Sequence, residues 1–244
     1  MTMDRRFDIR PEELHGLRGS VGRRLVGRVV VPAVIIYAVL VGVGLLLAHP
    51  LARLVSGEDG LNRELVGERS PVWTTVTAVF SALANTPAVV GVVIAVALAM
   101  RLIFGRWAES IILVTAVLLQ AAVFLLTTMV VDRQRPAVEH LDPAPPTSSF
   151  PSGHTGAATA LYVGVAVVIA WQVRHKLLRV LLVAVFVTVP ILVAVSRLYR
   201  GMHHPTDVVF GALNGLACLA VAVYAFQPRS ATAAPAGVTP TTNR

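Results

Sequence analysis

The chain has 244 residues, of which 55% are hydrophobic and 14% charged, and its mean hydropathy is +0.72. This composition excludes a soluble domain and a disordered chain, and a single cysteine excludes a disulfide-stabilised scaffold. The net charge of +8 would suit a nucleic-acid partner only if the basic residues formed a soluble patch, but they flank the apolar runs instead. The sequence therefore predicts an integral membrane protein.

Apolar runs long enough to cross a bilayer define the predicted fold. A spanning helix needs roughly 20 apolar residues, and five runs meet this length plainly. A sixth follows from dividing the apolar stretch 72–104 at Asn85-Thr86-Pro87, which leaves Val72–Ala84 as a short re-entrant or interfacial helix between spans 1 and 2. We predict an all-α integral membrane bundle of six transmembrane helices: Val29–Ala48, Pro87–Phe104, Ile111–Val131, Gly156–Val173, Leu177–Val195 and Val208–Phe226.

The distribution of basic residues predicts the orientation of these helices. When the gaps are assigned alternately to the two sides, 14 of the 21 Lys and Arg residues fall on the side of both termini and 7 on the other. Cytoplasmic segments carry the excess of basic residues, so we expect a multi-pass protein of the cytoplasmic membrane with both termini inside. The predicted domains are an Arg-rich N-terminal segment (1–28), a six-span domain (29–227) and a flexible tail (228–244).

Two gaps between predicted spans hold most of the polar residues that suggest chemistry. The gap after the third span runs from Asp132 to His154, and the gap after the fifth span runs from Ser196 to Asp207. Two spans separate these gaps, so both lie on the same face of the membrane whatever the absolute orientation. With both termini in the cytoplasm, that face is extracytoplasmic.

Several residues of the two gaps suit the binding of a phosphate group. Arg135 and Arg197 carry forked, permanently charged donors that can bind an oxyanion at two points. Ser152 and Gly153 immediately precede the fourth span, where free backbone N–H groups and the helix dipole favour an anion. The sequence therefore predicts an anion site at this face.

Two histidines, one from each gap, supply the groups that phosphoryl transfer needs. An imidazole can act as a nucleophile or as a proton donor. His203 and Asp207 are four residues apart at the start of the sixth span, so we expect the carboxylate to lie on the same helix face, fix the His203 tautomer and stabilise its imidazolium. His154 has no carboxylate at this spacing and is predicted to act as the acid.

These residues resemble the type-2 phosphatidic acid phosphatase superfamily over about 80 residues. Two of the three family motifs are complete, namely Pro-Ser-Gly-His and Ser-Arg followed at fixed spacing by His and Asp. The residues of these two motifs are Pro151, Ser152, Gly153 and His154, and Ser196, Arg197, His203 and Asp207. In the first motif Arg135-Pro136 match, but Thr128 stands where the family has Lys, and Arg133 either replaces that cation at the phosphate or only flanks the membrane.

The resemblance implies an in-line attack by His203 on phosphorus, which forms a phosphohistidine that water hydrolyses. Asp207 would orient His203, and His154 would protonate the departing lipid oxygen and then activate the water. The phosphate oxygens would be bound by Arg135, Ser152, Gly153 and Arg197. We expect no metal and no cofactor, because fixed cations can supply the charge stabilisation.

The predicted substrate is a lipid phosphate within the bilayer, of the phosphatidate or phosphatidylglycerophosphate type, and no nucleic-acid partner is expected. Two alternatives remain. One is an undecaprenyl-diphosphate phosphatase, which would use the same catalytic groups. The other is a non-catalytic lipid-phosphate carrier or binding protein that keeps the anion pocket without turnover, and the absence of the family Lys keeps this alternative open.

The other polar residues of the region are predicted to have no part in catalysis. We expect His204 to face the lipid headgroups, and Glu139, His140 and Asp142 to be solvated loop residues. The acidic residues between the first two spans lack metal-site spacing: Glu58, Asp59, Glu64 and Glu68. Three glycines are predicted to serve helix packing: Gly164, Gly211 and Gly215.

Overall fold

The computed structural model describes residues 20–226, with side chains from Val26 onward. Within this range the protein is all-helical, without a β-strand. The helices in chain order are α1 Ser20–Ala48, α2 Glu58–Gly67, α3 Pro71–Ala82, α4 Thr86–Phe104, α5 Ala108–Thr128, α6 Gly153–Gln172, α7 Lys176–Tyr199 and α8 Pro205–Phe226. The predicted N-terminal segment lies outside the described residues up to residue 19, and the predicted tail 228–244 lies outside them entirely.

Six of the helices, α1 and α4 to α8, are long and apolar enough to span a membrane. The predicted all-α six-span bundle is therefore confirmed, and the observed ends lie within four residues of the predicted ones except at the start of α1, where Ser20 precedes the predicted Val29 by nine residues. Proline explains two of the helix starts, because Pro87 lies in the first turn of α4 and Pro205 is the first residue of α8. Gly105 ends α4 with a φ of 70°, a left-handed conformation that favours glycine.

Two short helices lie between the first and second spans. Helix α3 corresponds to the predicted re-entrant or interfacial helix. Both of its ends contact the end of α7, since the N–H of Ser70 donates to the Tyr199 hydroxyl and the Ser81 hydroxyl accepts from Arg197. It therefore lies beside one end of the bundle and does not cross it. Helix α2 was not predicted, because its sequence is polar and lacks an apolar run.

Close packing of α8 against the start of α6 brings the two motif-bearing segments together. A Cβ on Gly211 would lie 2.4 Å from the Ser152 carbonyl oxygen, and one on Gly215 would lie 2.5 Å from the Gly156 carbonyl oxygen. A Cβ on Gly164 would likewise lie 2.8 Å from the side chain of Leu113. The predicted packing role is thus confirmed for all three glycines. A larger side chain at Gly211 or Gly215 would meet backbone and force the helices apart, while one at Gly164 would displace the Leu113 side chain.

Candidate active site

The gaps before α6 and α8 meet at one end of the bundle, as their parity predicts. The N–H of Ser152 donates to the Asp207 carbonyl at 2.9 Å, and His203 contacts the backbone of Ser149. A cavity of about 660 Å³ opens there, and its lining includes His154 and His203. His203 therefore shares one site with His154, which is 49 positions away in the sequence, and with Ser149, which is 54 positions away.

The His203 ring is held in one tautomer by a backbone carbonyl. Its Nδ1 lies 2.8 Å from the carbonyl oxygen of Ser149, and because a carbonyl only accepts, Nδ1 carries the proton. The other ring nitrogen, Nε2, is then unprotonated and available as a nucleophile. The side-chain amide of Asn62 on α2 donates to the His203 carbonyl at 3.1 Å, which fixes the backbone as well.

Burial favours the neutral form of this ring. His203 is 4% exposed, and burial, together with the charges of Arg197 and Arg135, lowers the pKa of its imidazole below the ordinary value of 6.5, although Asp207 acts in the opposite direction. A nucleophilic histidine must be unprotonated at Nε2. The surroundings of His203 therefore favour the reactive protonation state at neutral pH.

Asp207 does not make the hydrogen bond predicted for it. Its Oδ2 is 3.8 Å from Nδ1 of His203, which leaves the two groups on the same helix face but beyond hydrogen-bonding distance. The carboxylate instead accepts from Arg133 and from the backbone N–H of His204. Ser149 sets the tautomer of His203, and Asp207 is placed to stabilise a positive charge on the ring by proximity.

Asp207 belongs to a set of ionic side chains behind His203 that we call the closed cluster: Glu58, Asp59, Arg133, His204 and Asp207. Arg133 bridges Asp207 and Glu58, with 2.7 Å between its Nη2 and a Glu58 carboxylate oxygen. His204 lies between two carboxylates, 3.2 Å from Asp207 and 3.2 Å from Asp59. Each charge in the closed cluster therefore has an opposite charge or a histidine as its partner.

The closed cluster corrects two expectations from the sequence. His204 is 9% exposed and pairs with carboxylates, so the prediction that it faces the headgroups is wrong. Arg133 neither replaces the missing family Lys at the cavity nor merely flanks the membrane, because both ends of its guanidinium bind protein carboxylates. Both corrections arise from α2, which brings Glu58 and Asp59 to the base of α8.

His154 has a partner that the motifs do not identify. Its Nε2 lies 2.7 Å from the side-chain oxygen of Asn85, the residue that precedes α4. An amide oxygen accepts, so the proton of His154 resides on Nε2. Asn85 and His154 both line the cavity, which leaves this proton at the cavity wall.

Arg135 and Arg197 line the same cavity, as the sequence predicts for two phosphate ligands. Arg135 donates from Nη1 to the Met202 carbonyl at 2.8 Å, and Arg197 donates from Nη1 to the Ser81 hydroxyl at 2.6 Å. The Nε–H groups of both arginines are buried without a hydrogen-bond partner among the described residues. Burial also lowers the pKa of Arg135, against the opposing charge of Asp207. Two buried, unpartnered cationic donors favour an anion in this cavity.

A second set of charges lies beside the cavity, and we call it the open cluster: Asp142, Arg197 and Arg200. Asp142 and Arg197 line the cavity, and Arg200 lies behind Asp142. Arg200 binds the Asp142 carboxylate with a fork, at 2.8 Å from Nε and 2.6 Å from Nη2, and Arg197 binds it through Nη1 at 2.6 Å. Burial raises the pKa of Asp142, but the hydrogen bonds and charges of the two arginines outweigh this and hold it below its ordinary value. The prediction of a solvated Asp142 is therefore wrong.

The remaining predicted phosphate ligands differ in their placement. Gly153 lines the cavity, and a Cβ there would lie 2.7 Å from the ring of Phe124, which would have to move. Ser152 is completely buried, and its hydroxyl pairs with the Thr155 hydroxyl at 3.0 Å and caps α6. The Ser152 hydroxyl therefore has partners within the protein and does not face the cavity as a phosphate ligand would. Thr128 lines the cavity, but its hydroxyl donates to the Leu125 carbonyl at 2.8 Å.

One part of the cavity lining is apolar and comes from α4 and α5. Three of its side chains are also at least half exposed on the outer surface of the bundle: Val90 at 51%, Leu118 at 64% and Leu125 at 51%. In a membrane this surface contacts lipid. The cavity thus combines a cationic part that holds two histidines with an apolar part that borders the lipid-facing surface.

These features define a membrane-embedded site for a lipid with an anionic head. The sequence matches the profile of the PAP2 superfamily over residues 109–231, half of the chain, and the protein belongs to this superfamily. The predicted family and the predicted enzyme class, a phosphatase, are thereby confirmed.

Two solved structures share the fold. A transmembrane PAP2-type phosphatidylglycerolphosphate phosphatase from Bacillus subtilis matches with a TM-score of 0.67 and 19% identity, over 79% of this chain and 92% of that one. LpxE from Aquifex aeolicus matches with a TM-score of 0.54 and 24% identity, over 68% of this chain and 93% of that one. A search among curated protein sequences found no match.

Proposed function

We propose that this protein removes a phosphate group from a membrane lipid phosphate or polyprenyl diphosphate, without a metal, through a phosphohistidine on His203. The observation that carries the proposal is the His203 ring. Its Nδ1–H is bound to the Ser149 carbonyl, which leaves the Nε2 lone pair available. The ring lines the cavity together with Arg135 and Arg197, whose Nε–H groups are buried without a partner among the described residues. This arrangement combines a nucleophile with a binding site for the oxygens of a phosphate.

In the first step, Nε2 of His203 forms a bond to phosphorus while the bond from phosphorus to the lipid oxygen breaks. Arg135 and Arg197 stabilise the negative charge on the phosphoryl oxygens. His154 acts in its imidazolium form, with a proton on each ring nitrogen. It gives its Nε2 proton to the departing lipid oxygen, which takes the place of Asn85 as the partner of that proton, and it becomes neutral. The phosphorylated His203 ring carries a positive charge, which the Asp207 carboxylate 3.8 Å away stabilises.

In the second step, a water molecule attacks phosphorus and the bond from phosphorus to Nε2 breaks. His154, now unprotonated at Nε2, takes a proton from the attacking water. Inorganic phosphate leaves, and both histidines return to their starting protonation states. The same residue thus acts as acid and then as base, as reversibility of the two half-reactions requires.

The apolar part of the cavity supports a lipid substrate. Its lining from α4 and α5 is mainly aliphatic, and it borders the surface that faces the bilayer. A substrate tail can therefore enter sideways while the phosphate reaches Arg135 and Arg197. The name of the Bacillus subtilis neighbour supports a glycerolipid monophosphate of the phosphatidylglycerophosphate type, with a polyprenyl diphosphate as the alternative.

We also propose that the site opens on the extracytoplasmic side of the cytoplasmic membrane. The excess of basic residues in the segments on the opposite side supports this orientation. Glu139 is exposed on the loop beside the site, with a side chain that is 79% accessible. A Glu139→Cys variant should react with a membrane-impermeant thiol reagent in intact cells, whereas reaction only after lysis would place the site inside.

Phosphate release by the full-length protein in detergent tests the activity. Phosphatidylglycerophosphate, phosphatidate and a polyprenyl diphosphate should be compared side by side, with His203→Ala as the inactive variant. His140→Ala is the matched control, because it removes a histidine of the loop before α6 that does not line the site cavity. We expect release that survives EDTA, is blocked by vanadate and is lost only in His203→Ala. Lipid binding without release would favour the carrier, and an absolute need for Mg²⁺ would refute the metal-free mechanism.

The acid role of His154 has its own test. His154→Ala should lower the rate by roughly 10²- to 10⁴-fold for a lipid, whose alkoxide is a poor leaving group. With nitrophenyl phosphate the loss should be much smaller, since nitrophenolate departs without protonation. Equal losses with both substrates would show that His154 is not the acid.

A further inference from the structure

The open cluster contains an anion where the proposed substrate needs a cation. Of the described residues that line the site cavity, Asp142 alone carries a negative charge, and it lies on Arg197 with 2.6 Å between Oδ2 and Nη1. The side chain is 25% exposed, so it reaches into the cavity and is not sealed in the protein. In the closed cluster, by contrast, Asp207 is completely buried.

We propose that Asp142 is a resident anion that competes with phosphate groups for Arg197: it occupies Arg197 in the unliganded protein and must leave that arginine before a phosphate group can bind. The inference rests on the proposed function, because it assumes that Arg197 binds the phosphate of a lipid. Its new element is that a carboxylate of the protein competes for the same guanidinium and thereby sets the affinity of the site for phosphate.

The contacts of the two arginines allow this exchange. Asp142 makes a single hydrogen bond to Arg197 but a forked pair to Arg200, so it can release Arg197 and remain bound to Arg200. Arg197 keeps its place without Asp142, because its Nη1 also donates to the Ser81 hydroxyl at 2.6 Å. Arg200 lies outside the cavity lining and is anchored by the carbonyls of Thr74 and Leu141.

The competition by Asp142 also affects other anionic lipids that can reach the cavity. A cavity that borders the bilayer is exposed to phosphodiester lipids at high local concentration, and these carry one negative charge on phosphorus. A phosphate monoester carries close to two at neutral pH. Displacement of Asp142 lowers the affinity for every anion by the same factor, because only the fraction of molecules with Arg197 free can bind. The ratio of the monoester and diester affinities stays the same, but a diester at a given concentration occupies a smaller fraction of the sites.

The same exchange assists release of inorganic phosphate. Phosphate is a strongly charged product, and two arginines would hold it firmly. Asp142 returns to Arg197 as the phosphate leaves, so the site does not have to expose an unpaired buried charge. Removal of the Asp142 charge should therefore strengthen inhibition by the product as well as binding by other anions.

Binding of inorganic phosphate at pH 8 to the full-length protein in nanodiscs of phosphatidylcholine tests the inference without turnover. The neutral variants are Asp142→Asn and Asp142→Ala, and Asp142→Glu keeps the charge. Glu139→Gln is the matched control, because it removes a carboxylate of the same loop that lies outside the cavity lining. A second set of nanodiscs contains phosphatidylglycerol, a phosphodiester with one negative charge, and thermal unfolding of each variant verifies folding.

We expect the Kd of phosphate to fall at least about tenfold in both neutral variants, which corresponds to Asp142 on Arg197 in about nine-tenths of empty molecules. Asp142→Glu and Glu139→Gln should stay within about twofold of the wild type. Phosphatidylglycerol should weaken phosphate binding in the neutral variants and leave the wild type unchanged.

An unchanged or raised Kd in the neutral variants, or an equal fall in Asp142→Glu, would overturn the inference. Failure of both neutral variants to fold would also overturn it, because it would make Asp142 a fixed structural bridge. Tighter phosphate binding in a protein that hydrolyses no lipid phosphate would refute only the proposed function, whereas hydrolysis with unchanged phosphate binding would refute only the role of Asp142.

Discussion

The closed cluster adjoins His203 through Asp207, the open cluster shares the cavity with His203, and the two use similar residues in different ways. In the closed cluster Arg133 binds two carboxylates, and both Asp207 and Arg133 are less than a tenth exposed. In the open cluster two arginines share one carboxylate, and among the described residues Arg197 has a buried Nε–H without a partner. In the closed cluster every carboxylate has a partner within the protein, while the open cluster has two positive charges for one negative charge.

This difference separates structural charges from functional ones. A buried arginine whose donors all bind protein carboxylates stabilises the fold, and removal of either partner leaves an uncompensated charge. A buried arginine with an unpartnered donor beside a cavity is suited to bind a ligand. Proximity in the sequence does not make this distinction, since Arg133 and Arg135 are only two residues apart and belong to different classes.

Arg133→Met should give the largest effect, on stability. The substitution leaves Asp207 and Glu58 without their cation, and loss of one partner of a buried ion pair lowers the free energy of unfolding by about 3–5 kcal/mol. Unfolding in mixed detergent micelles measures this loss. A change below about 1 kcal/mol would show that the closed cluster does not hold α2 and α8 together.

Arg197→Ala should show the opposite pattern. Asp142 keeps its forked bond to Arg200, so stability should change little, but loss of a phosphate ligand should lower kcat/KM by about 10²- to 10³-fold. Steady-state kinetics and unfolding of the same sample compare the two effects. If Arg197→Ala destabilises the protein as much as Arg133→Met does, the distinction between the clusters is wrong.

Asp207→Asn should reduce kcat but leave clear activity. The Ser149 carbonyl keeps the tautomer of His203, so the loss should stay well below the roughly 10⁴-fold that follows when a carboxylate sets the tautomer. Loss of one charge 3.8 Å from the ring predicts a decrease of about 10- to 10²-fold. Activity as low as that of His203→Ala would assign the tautomer to Asp207.

Asn85→Ala should have a smaller effect that depends on the substrate. It removes the only hydrogen bond seen for the His154 ring among residues 26–226. One neutral hydrogen bond contributes about 1 kcal/mol, so kcat for a lipid should fall by about fivefold. With nitrophenyl phosphate kcat should not change, and an equal fall with both substrates would show that Asn85 does not act through His154.

The smallest expected effect is on the pH dependence of kcat/KM. His203 must be unprotonated to attack, so kcat/KM should fall as the pH drops through its pKa, and burial moves that pKa below 6.5. The acid limb of the profile should therefore lie below pH 6.5. An acid limb above that value would mean that the ring is not desolvated when substrate binds.

The sequence predicted the framework of the site because the framework depends on local signals. Apolar length predicts the six spans, their parity brings both gaps to one face, and the motifs identify Arg135, His154, Arg197 and His203. All four of these side chains line one cavity. Their proposed roles in catalysis remain predictions.

The partners of these residues depend on contacts that have no spacing signal. Asn85 is 69 residues from His154, and Glu58 is 75 residues from Arg133. Ser149 acts through its backbone carbonyl, which is the same in every residue type. Helix α2 was missed because a short polar helix has neither an apolar run nor a motif, although it supplies Glu58, Asp59 and Asn62 to the site.

The apolar part of the cavity, which α4 and α5 line, determines how the two products would separate. A released lipid alcohol stays in the hydrocarbon layer, where it diffuses in two dimensions, while inorganic phosphate departs into water. Turnover should then follow the mole fraction of substrate among the surrounding lipids and not its amount per volume of solution. Dilution by inert lipid would slow the reaction even when the total quantity of substrate is unchanged.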